Sequence, residues 1–285
     1  MKYRIIEDIK IIKTILKITN TQLAKELNVA RSTIIRILNG VVNPSDLFLE
    51  SFYSFAYQNS YRAIKLNNLK IQFAIDQFDK VLFHGAKNEL LEKIDLNHSR
   101  DNIDLGKGFY LGESFEQASS YIFNNLKSSV YIFDSRSLTQ LKVKELSVSL
   151  EWMIAVCYYR GQIDNYKESS FVKNIINNID NSDVIIAPIA DNNMYEIMNQ
   201  FSRGEITDLQ AMLALSASHL GKQHVLKTEK ACKAISVVDR LYLCKKERED
   251  IKNKQQENAS IAKDKTKIAI ESNRRKGKYI EELLK

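Results

Sequence analysis

The sequence predicts an α+β protein: an all-α head, a middle domain of short strands and helices, and a charged helical tail. Three observations predict this. Apolar residues recur at helical spacing through the first 78 positions. From Lys80 the period changes to short apolar runs closed by turns. After Cys244, interleaved charges surround sparse isoleucines. The expected boundaries are 1–78, 79–244 and 245–285.

The head is read from TQLAKELNVARSTIIRILNGVVNPS, Thr21–Ser45. Thr21 is expected to cap a helix carrying Leu23, Ala24 and Leu27 on one face. Asn28 tolerates the left-handed turn that follows, and Val29 buries it. Ser32 or Ala30 opens a second helix with Ile34, Ile35 and Leu38 inward; Gly40 ends it and Pro44 blocks continuation. The string Q-L-A-x-x-L-x-V-x-x-S-T-I-x-x-x-L-N-G resembles the helix-turn-helix of the Xre, or lambda-repressor-like, family. The resemblance implies that Arg31, Ser32, Thr33 and Arg36 point at the major groove, with Gln22 and Asn39 near phosphates. One such module reads a half-site, so a homodimer is expected. A small helical protein-interaction module is the alternative. Two further helices, with Leu47, Leu49, Phe52, Phe55 and Ala56, then Leu66, Leu69, Phe73 and Ile75 inward, complete the head.

Charge supports this division. The net charge is +7, with +5 on residues 1–78, −3 on 79–244 and +5 on 245–285. The middle is therefore not built to hold a polyanion by charge alone. Hydrophobic residues make up 44%, with only nine Gly and two Pro, which excludes a disordered chain. Cys157, Cys232 and Cys244 share no ligand spacing and suit a reducing, cytoplasmic setting. No apolar run is long enough to span a membrane, and the charge-mixed start does not read as a signal peptide. His98, His219 and His224 show no metal spacing.

In the middle domain, strands are expected at KVLFHGA, GKGFYLGE, Ser128–Asp134, Ser182–Asp191 and Lys222–Thr228. Helices are expected at FEQASSYIFNNL, SLEWMIAVCYYRG, MYEIMNQFSRG and TDLQAMLALSASHLG. The glycines of DLGKGFYLGESFEQASSYI do not fit a dinucleotide fingerprint, because a strand rather than a helix follows Gly108. A Walker lysine pattern is also absent.

The string LFHGA, followed by DLGKGFYLGESFEQAS, resembles a bacterial family of uncharacterised ADP-ribosyltransferase-like domains. The similarity continues through EWMIAVCYYRG, Ser182–Ile206 and KQHVLKTEKA, roughly residues 80–240. Members are also seen fused to a helix-turn-helix head. The resemblance implies a split, mostly antiparallel sheet with flanking helices, NAD as ADP-ribose donor, and a small antitoxin partner of the kind found with toxin or phage-defence enzymes. His84 would bond an NAD ribose hydroxyl, Tyr110 would stack on nicotinamide, and Gln223 stands where many such transferases carry a catalytic Glu. Gly85 and Gly108 would let backbone approach the ligand. Phe109 would line the same site; alternation along a strand makes one of Phe109 and Tyr110 a core residue. Arg100 and Asp104 would orient pyrophosphate or form a surface ion pair. Glu229 is a second-ranked carboxylate and Asp191 a weak candidate. The function implied is transfer of ADP-ribose to a macromolecule; the alternative is a transcription regulator that senses NAD without catalysis. The tail is read as a solvated helix or, alternatively, a docking arm.

Overall fold

The structure, a computed structural model, describes residues 2–284 except 60–64, 91–93, 95, 97, 98, 100, 101, 191, 218–220 and 275. Arg100, His98, Asp191 and His219 lie outside the described residues. The architecture is mixed α+β, with helices first and seven described strands after them. Two compact units organise it, and neither is continuous in the chain.

The first unit joins Met1–Glu92, Ala118–Asp134 and Val237–Asn253. Its helices are α1 (Ile5–Leu16), α2 (Asn20–Glu26), α3 (Arg31–Leu38), α4 (Asp46–Gln58) and α5 (Leu66–Phe78). Helices α2 and α3 form the expected helix-turn-helix. Its cap is Thr19 rather than Thr21: the Thr19 hydroxyl accepts from Gln22 N, and Gln22 Oε1 accepts from Thr19 N at 2.8 Å. This reciprocal pairing satisfies two orphan donors at once. Asn28 takes φ +51 and Gly40 φ +69, the left-handed values that end each helix. Ile34 and Ile37 are the buried residues of α3, while Ile35 and Leu38 are only partly buried. They join Ile9, Leu23, Leu27, Phe48, Phe52 and Tyr53 in one core.

Strand β1 (Val81–Ala86) pairs antiparallel with β3 (Ser129–Asp134), setting His84 opposite Tyr131, and β7 (Ser236–Tyr242) flanks β3. Helix α4 turns Phe48 and Tyr53 inward and leaves Leu47 78% exposed. Helix α5 departs further from expectation, since Phe73 and Ile75 face solvent while Asn67, Lys70 and Ala74 are buried. The reason is charge pairing. Lys70 Nζ lies 3.0 Å from Asp8 and 3.4 Å from Asp239, and Tyr53 donates to Asp8 at 2.6 Å. Asn67 Nδ2 donates to Glu247 at 3.0 Å and to the Tyr242 carbonyl at 2.9 Å. A buried ion survives only with partners, and α5 finds them on α1, β7 and the first turn of α12 (Lys245–Ser272).

The second unit joins Lys93–Gln117, Ser135–Ser236 and Lys254–Lys285. Its strands run in the order β4 (Val143–Glu145), β5 (Val184–Pro188), β6 (Lys222–Leu226), β2 (Phe109–Gly112). The β4–β5 pair is parallel; β5–β6 and β6–β2 are antiparallel. Helix α6 (Phe115–Ser120) carries Gln117 in this unit and Ala118 in the other. Helices α7 (Leu150–Tyr159), α8 (Ser170–Asp180), α9 (Asn192–Ser202), α10 (Asp208–Ser216), α11 (Glu229–Lys233) and α13 (Ile280–Leu284) complete the unit. Trp152, Ile154, Val156, Ile185, Phe201 and Val225 are fully buried in its core. The expected strands and helices of the middle all occur; β4, β7, α8 and α11 were not anticipated. The tail is helical as expected, and its last turn buries Ile280 and Leu284.

Burial pushes the Glu247 carboxyl up to about 7, against the opposing pull of Asn67 and Lys65. The folded state then binds this proton more tightly than the unfolded chain. Its contribution is full below about pH 4.5 and is lost as pH rises through about 7. Chemical denaturation across that window is expected to show wild type losing about 2–3 kcal/mol relative to Glu247→Gln. Parallel curves for the two proteins would contradict this.

Candidate functional site

The head carries the residues that the sequence expects at DNA. On α3, Arg31, Ser32 and Arg36 are exposed, Thr33 is partly buried, and Asn39 caps the exposed end. Gln22 is exposed, with its Oε1 engaged by the cap.

The second unit holds a polar cluster built on one carboxylate. Asp104 is 7% exposed and sits in the loop before β2. Its Oδ1 accepts from Arg160 Nε at 2.9 Å and from Arg160 Nη2. Its Oδ2 accepts from Gln223 Nε2 at 3.2 Å and from the Ala190 N–H at 3.3 Å. Arg160 follows the last turn of α7, where the helix dipole favours a cation, and its guanidinium lies 4.4 Å from the Tyr195 ring centre. Gln223, 7% exposed on β6, also donates to the Pro188 carbonyl at 3.1 Å.

Strand register sets the rest. Tyr110 pairs with Val225 and Gly112 with Gln223. Opposed residues of an antiparallel pair share a face, so Tyr110 and Gln223 are diagonal neighbours on one face. The Tyr110 hydroxyl accepts from Leu105 N at 3.1 Å and donates to the Gly106 carbonyl at 2.7 Å, and its ring packs on the core. Burial pushes its pKa far above the ordinary phenol range, so it stays protonated. Lys227 Nζ donates to the Leu105 carbonyl at 2.7 Å and lies 5.0 Å from the Tyr159 ring centre. Burial pushes the Lys227 amine down, with Asp180 acting the other way.

The glycine loop closes on the protein itself. Leu105 N–H goes to Tyr110, Gly106 N–H to the Ile103 carbonyl at 3.0 Å, and Gly108 N–H to Ser99 Oγ at 3.1 Å. The donors a phosphate would need are thus engaged, in agreement with the failed dinucleotide fingerprint. A Cβ at Gly108 would stand 2.5 Å from Val225 Cγ1, and one at Gly85 2.1 Å from the Ala118 carbonyl. At both positions the close approach seen is that of the chain's own atoms. Gln117 has a similar role: its Oε1 accepts from Glu113 N and Ser114 N, and a Cβ at Gly221 would fall 1.9 Å from its Nε2.

Among the predicted residues, Asp104, Gly108, Phe109, Tyr110 and Gln223 belong to the second unit, whereas His84 and Gly85 belong to the first. His84 is partly buried on β1, and Phe109 is partly buried opposite Leu226. Glu229 is exposed in α11 and pairs with Lys233 at 3.6 Å. Arg160, Tyr195 and Lys227 were not singled out from sequence. Only Arg160 carried a signal, as the charged residue ending the apolar helix EWMIAVCYY. Among the described residues no group of three or more His, Cys, Asp or Glu could hold a metal. No described helix is long and apolar enough to cross a membrane.

Comparison with known proteins finds matches for two segments of the chain. Residues 9–51 match the helix-turn-helix family model, which implies that the head binds DNA. Neither a curated protein nor a solved structure matches the chain. Residues 80–237, more than half of the length and including β1, β2, β6 and the Asp104 cluster, match the family described as protein of unknown function (DUF3990), and the chain belongs to that family.

Proposed function

We propose that this protein is an NAD-dependent ADP-ribosyltransferase with a DNA-binding head, of the toxin or phage-defence kind. The observation that carries the reading is the β2–β6 register, which sets an aromatic ring, Tyr110, beside a side-chain amide, Gln223, on one face. In the reaction the C1′–N bond to nicotinamide breaks, its electron pair leaves with nicotinamide, and positive charge builds on the ribose. An acceptor nucleophile then bonds C1′ and loses its proton. An aromatic wall holds the departing ring, and a carbonyl oxygen beside the 2′-hydroxyl steadies the developing charge. The antitoxin partner and the homodimer belong to the same proposal.

A second reading has one observation in its favour. Gln223 brings no net charge, which suits a regulator that binds NAD without turning it over. Labelled NAD incubated with the protein and fractionated lysate separates the two. The transferase labels protein, DNA or RNA, and Gln223→Ala lowers that label by about a hundredfold. A sensor leaves no label, but NAD alters its operator affinity. If NAD neither labels a macromolecule nor raises Tm, both readings fail.

For the head, Arg36→Ala is expected to weaken specific operator binding by about ten- to a hundredfold. Label transfer should be unchanged. Equal operator affinity in a gel-shift titration would remove Arg36 from the reading surface.

A further inference from the structure

Among the described residues the Gln223 side chain makes two hydrogen bonds, and its nitrogen donates both. The partners, a carboxylate and a proline carbonyl, can only accept. Turning the amide round would set Oε1 against two oxygens, so the chemistry of the partners fixes which end faces inward. Asp104 is itself held by Arg160 on one oxygen and by the Ala190 N–H on the other. Among the described residues Gln223 Oε1 makes no hydrogen bond, and it is not among the enclosed side-chain atoms without a partner, which are Asn20 Oδ1, Asn67 Oδ1, Trp152 Nε1 and Gln162 Oε1.

We infer that Asp104 is the positioning residue of this site: it engages the Gln223 nitrogen within the protein and leaves the carbonyl oxygen to meet a ligand that donates a hydroxyl, as a ribose does. The orientation rests on the hydrogen bonds alone; the ribose rests on the transferase reading. Position 223 is then built for glutamine rather than being a glutamate that has lost its charge. A carboxylate there would face Asp104 at hydrogen-bond distance, and two such groups cannot both ionise. The negative charge already stands behind the amide, where an N–H···O⁻ bond polarises the carbonyl oxygen.

The experiment uses the full chain, with Gln223→Glu and the exchange Asp104→Asn/Gln223→Glu. Thermal unfolding is followed from about pH 5 to about pH 8, and calorimetry measures ADP-ribose affinity. Gln223→Glu should lose Tm at the upper pH and regain it at the lower, where the added carboxyl holds its proton. Its ADP-ribose affinity should fall about tenfold or more at the upper pH and recover with acid. The exchange again sets a donor against an acceptor at 104 and 223, but it leaves Arg160 without its anion and the Pro188 carbonyl facing an oxygen, so it should regain part of the Tm and affinity that Gln223→Glu loses at the upper pH. The positioning role is wrong if Gln223→Glu has no pH-dependent deficit, if it binds ADP-ribose as tightly as wild type, or if the exchange fails to recover. A wild type without affinity for ADP-ribose overturns the ribose and the transferase reading with it; the Tm series still judges the orientation.

Discussion

One carboxylate fastens the second unit's glycine loop to three other elements. Asp104 receives donors from the end of α7, the residue pair after β5, and β6. Removing one partner leaves the other's charge uncompensated in a place that is largely, though not wholly, withdrawn from water. Tyr110 and Lys227 then pin the next two residues. The loop is therefore held in one conformation by side chains from four parts of the fold. Such redundancy suits a site in which small displacements matter.

The first unit uses buried charge for a different purpose. Two carboxylates, Asp8 and Asp239, share Lys70, and Tyr53 bonds Asp8. Tyr3 stacks edge-on against Tyr242, hydrogen-bonds Ser129, and lies under the Arg240 guanidinium. Apolar contacts alone would allow α1 and α5 several near-equivalent seats on β3 and β7. Paired ions allow one, since any shift strands a charge. The DNA-reading helices are in this way part of the same compact body as β1, β3 and β7.

Much of this was legible because local rules and tertiary structure agree. The left-handed Asn28 and Gly40, the exposed α3 face and the five anticipated strands follow from turn chemistry and periodicity. Helix α8 was readable too: Val172, Ile175, Ile176 and Ile179 repeat at helical spacing and are all buried. Strand β7 was hidden because Asp239 and Arg240 interrupt its apolar run, and both are buried only through distant partners. The same holds for α5, where a polar face was mistaken for the outer one. At the site, strand placement of Tyr110 and Gln223 could be read from the sequence. The Asp104–Arg160 pair could not, since its members lie 56 positions apart and each looks like a surface residue. Pairing across such distances leaves no periodic trace.

The discontinuity of the first unit governs how the protein is born. Lys70 leaves the ribosome well before Asp239, and at ordinary elongation rates the delay is about ten to thirty seconds. During that interval the nascent helix-turn-helix carries an ammonium and a carboxylate whose full set of neighbours does not yet exist. The DNA-reading head is thus completed by the last strand of the sheet. A chain cut short before residue 237 would emerge with its head unfinished, and Lys70 would keep one of its two carboxylates.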